Sequence, residues 1–384
     1  MPLLNTTIHE GSASLLIPKQ CLIDPHHCEV FYNPAMQLNR SLSALFLASC
    51  LETTGIKNAL LFDGFCGVGA RGVRYLKESG VAKVVFCDAN NKSISYIKKN
   101  ITANKVQKKS KILNMDVNQA LANSSVFDVI ELDPFGSPLQ CVDSAFRRGK
   151  KTFLLSLTFT DLANLCGGHK DACKRYYNAT SIHCAFSHEI AMRIILARVA
   201  NLAAFHEYGV TPLVTWYEGH YVKTFLHCEK SCKKADKNAE NIGYAWLCLK
   251  CTSRGLSTEK NIHCSCGSDV KFAGPLWVGK YSQKEVIQKT LQNLQSPNST
   301  ISKFYAEKQR EEIENFLSLL NNESETPLFY SLPELCSRLK VSTPKLAVFI
   351  EKIKQSGFEA SATHFSPDCF KTNATIHNLF KILQ

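Results

Sequence analysis

Four aspartates stand where four successive apolar runs end: Asp63 after "ALLF", Asp88 after "KVVFC", Asp116 after "KILNM" and Asp133 after "FDVIEL". A lone acid in such a place is often only a helix N-cap. A succession of them, at the carboxyl ends of strands where open α/β sheets bind ligands, describes a site. Asp63 is followed by Gly64, Gly67 and Gly69, and glycines there let the backbone take positive φ and approach a ligand closely. Their order is G-x-x-G-x-G, not the G-x-G-x-x-G that seats a pyrophosphate on a helix N-terminus. This order favours a ligand without phosphate, such as S-adenosylmethionine, whose ammonium would lie near Asp63. Asp88, 25 residues further on, is placed to accept both ribose hydroxyls. The Asp116 carboxylate and the Val117 N–H can read the amino group and ring nitrogen of adenine.

Asp133 opens "DPFG", which resembles the D/N-P-P-Y/F signature of enzymes that methylate exocyclic amines. The lone pair of an aryl amine is delocalised into its ring, so the nitrogen is a poor nucleophile until an acceptor takes hydrogen bonds from its protons. Asp133 can do this and then receive the proton as the methyl passes from sulfonium to nitrogen. Pro134 fixes the backbone, and Phe135 can stack on a base. Taken alone, Asp-Pro is an ordinary strand-terminating turn. Behind three other strand-end acids, it is the candidate catalytic residue.

A second group of chemistry-bearing residues is Cys248 and Cys251 in "CLKC", followed by His263, Cys264 and Cys266 in "HCSCG". Two ligand pairs on neighbouring knuckles can hold a tetrahedral, sulfur-rich zinc that orders a short insert with little core of its own. The first pair has the ideal C-x-x-C spacing. In the second, Cys264 and Cys266 form C-x-C while His263 and Cys266 have the regular separation, so the third ligand is either Cys264 or His263. The plainer alternative is a surface loop of reduced thiols, and Cys228 and Cys232 are left over. His188 and Glu189 in "SHEIAMRI" lack the second histidine of H-E-x-x-H, and a helix face accounts for them.

These residues need a sheet to hold them. From 58 to 227, the runs "ALLF", "KVVFC", "KILN", "FDVIEL", "TFLLSL" and "TPLVTW" alternate with helical patterns, the rhythm of βα units on a mostly parallel sheet. In "LVTWYEGHYVKTFLHC" two strand patterns meet at Gly219-His220, and so short a connection makes an antiparallel pair. A parallel sheet finished by such a hairpin is, by fold-level analogy, the arrangement of class I methyltransferases. The expected fold class is therefore α/β: a Rossmann-like class I methyltransferase sheet plus a C-terminal α+β domain with a cysteine-rich, zinc-binding insert. Residues 1–57 read as an N-terminal cap segment, 58–227 as the methyltransferase core and 228–384 as a C-terminal domain. Within the last, 248–266 is the zinc-ribbon-like insert and 325–384 a winged-helix-like segment. Its two helices, over 333–339 and 344–356, flank "KVST", a pattern that a plain αα-hairpin also produces.

With 384 residues, 45% hydrophobic and 20% charged, the chain can build two or three cores. No stretch approaches the roughly 18 consecutive apolar residues of a membrane span, and "MPLLNTTIHE" has no signal-peptide pattern. A cytoplasmic address with no membrane partner is expected. Seventeen cysteines, an odd number, argue against a disulfide framework in such a chain. The balance of 45 Lys+Arg against 33 Asp+Glu, net +12, favours a polyanionic partner, while no obligate protein partner is evident. The basic run "KKNITANKVQKKSK" reads as a solvated face.

Taken together, "FYNPAMQLNRSLS", "DGFCGVGARGVRY", "LDPFGSP", "TFTDLANLCG", "GPLWVGKY" and "THFSPDCFKTNA" resemble the tRNA (guanine-26, N2)-dimethyltransferase family over nearly the whole chain. The resemblance rests on the ordered set of motifs. It implies tRNA as substrate, S-adenosylmethionine as methyl donor, and transfer of one or two methyl groups to the exocyclic N2 of guanine-26. Residue by residue, it implies that Arg40 of "LNR" reaches the donor's carboxylate and that Arg71 completes the donor site with Asp88, Asp116 and Val117. It also implies that Asp133 is catalytic and that Phe31 and Phe135 hold a flipped base. A stacked or paired N2 amine cannot approach the donor in line, so the base has to leave its stack. The C-terminal domain would grip tRNA backbone and shape.

Cys66 and Val68 stand where small residues are expected, a change that a backbone-mediated site tolerates. Two rivals follow from the same residues. A DNA adenine-N6 methyltransferase shares the amine chemistry but needs a target-recognition domain and usually a second proline, neither evident here. A non-catalytic zinc-ribbon, winged-helix nucleic-acid-binding protein has no need of Asp63, Asp88, Asp116 and Asp133 together.

Overall fold

The computed structural model describes residues 4–25, 27–296 and 302–384. Strands β1 (Asn5–Glu10) and β2 (Ala13–Pro18) pair as an antiparallel hairpin. The central sheet follows, with β3 (Leu60–Gly64), β4 (Lys83–Cys87), β5 (Ser110–Leu113), β6 (Phe127–Leu132), β7 (Gly149–Phe159), β8 (Tyr208–Glu218) and β9 (Tyr221–Lys230). Its order is β5-β4-β3-β6-β7-β9-β8. The first five strands in that order are parallel neighbours. The two-residue connection at Gly219-His220 makes β8 and β9 antiparallel. Parallel strands are covered on both faces, so "FDVIEL" of β6 is buried at every position. Asp128 within it accepts from the Leu60 N–H at 3.0 Å and from Lys150 Nζ at 2.8 Å, joining β3, β6 and β7 near their amino ends.

The chain forms two compact units: Met1–Thr158 with Thr224–Lys230 and Gln283–Leu317, and Phe159–Lys223 with Ser231–Ser282 and Ser318–Gln384. In the first, the helix Gln37–Thr54 is buried on nearly every side because it packs against the helices Ala70–Glu78 and Lys284–Gln295. It stops at Gly55, whose φ of 70° supplies the left-handed cap. The β1–β2 hairpin also belongs to this unit; only "ASLLIP" of it was legible as a strand.

In the second unit, β10 (Ile242–Cys248) lies between β11 (Arg254–Ser257) and β12 (Val270–Trp277) in an antiparallel sheet. A further small sheet places β15 (Cys369–Thr372) between β13 (Tyr330–Ser331) and β14 (Ala360–Ala362). Around it the helices Leu332–Leu339, Leu346–Gln355 and Ile376–Leu383 share a core that includes Leu335, Phe349, Ile353, Phe370 and Leu379. The middle helix starts at Leu346 and not at 344, since Lys345 is an N-cap with extended backbone. No helix among the described residues is long and apolar enough to cross a membrane.

Candidate active site

β3 ends by delivering Asp63, and the chain then turns into the helix Ala70–Glu78. Gly67 (φ 55°) and Gly69 (φ 80°) make the turn in the left-handed region. A Cβ on Gly67 would stand 2.6 Å from the Phe31 carbonyl oxygen, so both conformation and space demand glycine there. The Gly67 N–H donates to Asp88 Oδ2 at 2.7 Å and the Asn90 N–H to Asp88 Oδ1 at 2.9 Å. Asp88, the expected ribose acceptor, therefore also shapes the glycine loop, and burial pushes its carboxyl up.

Asp63 is buried and accepts the Gly72 N–H at 2.9 Å. Burial, and then the charge of Glu131, push its carboxyl up to about 8. A cation beside it would offset that burial, which is what an ammonium-bearing ligand brings. Asp116 is exposed and caps the helix Val117–Ala122, taking the N–H groups of Asn118 at 2.8 Å and Gln119 at 3.2 Å. Val117 beside it is buried.

Asp133 leaves β6 with its side chain 24% exposed and pairs with Arg71 Nη2. The same nitrogen donates to Asn39 Oδ1 at 2.8 Å, while Arg71 Nε lies 3.9 Å from Glu131 Oε1. Glu131 is fully buried and accepts the Tyr75 hydroxyl at 2.7 Å. Arg71 Nη1 and Asn39 Nδ2 are buried without a hydrogen-bond partner. Two orphaned donors on adjoining side chains are destabilising until an acceptor arrives, and a carboxylate is the acceptor that suits both. Arg40, by contrast, gives Nε and Nη2 to Glu10 at 2.7 and 2.8 Å, and Nη2 also reaches the Asn33 carbonyl at 3.1 Å.

Phe31 and Phe135 meet edge to face, their centroids 4.5 Å apart at 71°, with Phe135 64% exposed. The structure places the two rings in contact, so a base entering between them has to part them. The residues that sequence reasoning missed are Glu10, Asn39 and Glu131. Only Glu131 left a signal, as an acid inside an otherwise apolar buried strand.

The family profile of the N2,N2-dimethylguanosine tRNA methyltransferases matches residues 11–384. The chain belongs to this family. The tRNA (guanine(26)-N(2))-dimethyltransferase of Pyrococcus furiosus is 33% identical over 398 residues, covering 98% of each chain. Its counterpart from Methanosarcina mazei is 31% identical over 392 residues, again with 98% of each covered. Among solved structures, Trm1 from Pyrococcus horikoshii in complex with S-adenosyl-L-methionine superposes with a TM-score of 0.86 at 27% identity, over 99% of this chain and all of that one. The mixed seven-stranded sheet of this tRNA methyltransferase family member is accordingly the Rossmann-like methyltransferase sheet that the strand rhythm predicted.

In the same family member, Cys248 at the end of β10 gathers with Cys251, Cys264 and Cys266 so that all four sulfurs lie within 4.8 Å of one another. The Cys248–Cys266, Cys251–Cys264 and Cys264–Cys266 separations are 3.5, 3.3 and 3.4 Å. With metal–sulfur bonds of about 2.3 Å, a tetrahedral zinc sets its sulfurs about 3.8 Å apart, so the cluster fits one. Cys264 is one of the four gathered residues, and His263 is not part of the group. The Ser268 backbone N–H leads the effects that pull the Cys266 thiol down to about 6, towards the thiolate that a metal takes.

Proposed function

We propose that this protein is the S-adenosylmethionine-dependent tRNA (guanine(26)-N(2))-dimethyltransferase of its source, acting on the exocyclic N2 of guanine-26 with Asp133 as the catalytic group. The observation that carries the reading is Asp133 itself. It is a partly exposed carboxylate at the end of β6, held by Arg71, whose remaining donor and that of Asn39 lie buried without acceptors. S-adenosylmethionine, when bound, supplies the electrophilic methyl group. Arg71 and Asn39, with Arg40 near them, would receive its carboxylate, and Asp63 its ammonium. Gly67 and Gly69 leave room for the amino-acid end, Asp88 accepts ribose hydroxyls, and Asp116 with the Val117 N–H reads adenine. Asp133 accepts hydrogen bonds from the guanine N2 amine, localises its lone pair and takes the proton that methylation releases. Phe31 and Phe135 would clasp the extruded base between them.

The wider assignments belong to the same reading. Residues 1–57 act as a cap on the core at 58–227, and 228–384 serve as the tRNA-binding domain, with 325–384 as its winged-helix-like part. A cytoplasmic address fits an enzyme whose partner is tRNA. Cys248, Cys251, Cys264 and Cys266 would hold a structural zinc: metal analysis of purified protein is expected to find roughly one zinc per chain. Chelation is expected to open residues 249–268 to protease, because that insert buries little beyond Thr252 and Cys264. Protein without zinc, or an insert that stays resistant after chelation, would remove the metal from the account.

The direct test incubates the protein with unmodified tRNA transcript and methyl-labelled S-adenosylmethionine and maps the labelled nucleosides by mass spectrometry. N2-methylguanosine and N2,N2-dimethylguanosine at position 26 are expected. Label on adenine of DNA, or donor binding with no transfer to tRNA, would overturn the reading in favour of one of the two rivals.

A further inference from the structure

The basic run at 98–111 ends in β5, an edge strand of the sheet. Near it β3, β4, β5 and β6 begin, at Leu60, Lys83, Ser110 and Phe127. Their amino ends frame a pocket of about 230 Å³ lined by Lys83, Lys108, Lys109 and Lys111 together with Ser110 and Ser124, with no acid in the lining. None of the four ammonium groups has an ion-pair partner among the described residues. Asp128 at the start of β6 is already engaged by Lys150 and the Leu60 N–H. A guard against edge-to-edge pairing explains a lysine on β5, which is Lys111. It does not explain Lys83 from the neighbouring strand or Lys108 and Lys109 from the turn before β5. Four unpaired like charges around one concavity repel each other, and a polyanion is the ligand that relieves them.

This pocket is separate from the donor site. Asp63, Asp88, Asp116 and Asp133 stand at or just beyond the carboxyl ends of the same strands, and a five-residue strand is about 17 Å long. We propose that the pocket seats backbone phosphates of the RNA substrate, away from the target base. This rests on the tRNA reading above. Lysines act on phosphates as point charges without reading sequence, so the pocket would position the RNA and leave base choice to the catalytic end. As β5 is the last strand of the sheet, no further strand stands between the two ends along that edge.

The test is the quadruple variant K83Q/K108Q/K109Q/K111Q, whose four sites are all exposed. Steady-state methylation of unmodified tRNA transcript would be measured over a range of salt. The expected result is a KM for tRNA raised about tenfold or more, with log KM rising less steeply with log salt by roughly three to four, one for each phosphate that a lysine no longer neutralises. The KM for S-adenosylmethionine and kcat should not change, which also certifies the variant's fold. An unchanged KM for tRNA and an unchanged salt slope would overturn the proposal. In that event thermal stabilisation by inorganic pyrophosphate, seen in the parent and absent from the variant, would reassign the pocket to a small anion. No stabilisation in either would reduce it to a solvated face. If the parent protein methylates no tRNA, the functional reading has failed by itself, and filter retention of labelled tRNA by parent and variant still decides the pocket.

Discussion

Asp133→Asn is expected to slow methyl transfer in a single turnover by on the order of 10²- to 10⁴-fold, the range that a positioned proton acceptor contributes. Asparagine keeps the volume and leaves an oxygen for Arg71 Nη2, so the cradle made by Arg71 and Asn39 should survive. What disappears is the negative charge that receives the amine's protons. Affinity for S-adenosylmethionine, measured by calorimetry, should therefore stay within about threefold of the parent, the pattern of an interaction that matters in the transition state and little in the ground state. Asp133→Ala makes a useful contrast. It removes the acceptor from Arg71 as well, leaving that buried guanidinium with Asn39 and a carboxylate 3.9 Å away, so donor affinity should fall along with rate. If the asparagine variant transfers methyl at close to the parental rate, Asp133 is only an anchor for Arg71 and the proton goes elsewhere.

That contrast shows how far the site was legible in the chain. The strand-end acids could be read because a buried parallel strand is a continuous apolar run and its termination is sharp: Asp63, Asp88, Asp116 and Asp133 follow four such runs, and the structure sets them along one end of the sheet. The glycine loop could be read because positive φ and the close Phe31 carbonyl leave Gly67 no alternative. The companions of those residues were hidden for a physical reason. Asn39 and Glu10 act through tertiary contacts spanning 30 to 64 residues of sequence, and no local spacing records them. The "NTTIHE" of β1 alternates exposed and half-buried positions until Glu10, so its hydrophobic pattern is too weak to announce a strand. The second cysteine pair was ambiguous for the opposite reason: two spacings were each acceptable locally, and it takes the fold to bring the Cys264 sulfur to the other three.

Glu10 carries the second large expectation. Its side chain is fully buried at the end of β1, and it accepts from Arg40 Nε and Nη2, from Arg74 Nη1 at 2.8 Å and from the Tyr32 hydroxyl at 2.7 Å. It thereby fastens the hairpin to the segment that bears Phe31 and to the two helices that bear Asn39 and Arg71. Burial alone would raise its carboxyl; the Arg40 guanidinium, by charge and hydrogen bonds, and then Arg74 outweigh it and bring it down to about 2 from 4.5. Burial likewise opposes the charge on Arg40, and Glu10 overcomes it, so both partners agree on the direction. A depressed carboxyl contributes its stability above the unfolded value and loses it as pH falls through the folded one. Some 3 kcal/mol, on the order of the linkage for such a shift, should therefore vanish between about pH 4.5 and pH 2. Glu10→Gln keeps the shape but leaves Arg40 without an anion, and should destabilise the protein by about 3 to 5 kcal/mol at neutral pH. Urea unfolding from pH 7 to pH 2.5 measures both effects: the parent should weaken steeply at the acid end, and the variant should start weaker and fall less. A variant within about 1 kcal/mol of the parent, with the same acid limb, would mean that Arg74 and Tyr32 hold the hairpin without Glu10's charge. The loss should also reach the chemistry, since the hairpin's release frees Arg40 and the Phe31 segment together and raises the KM for both substrates.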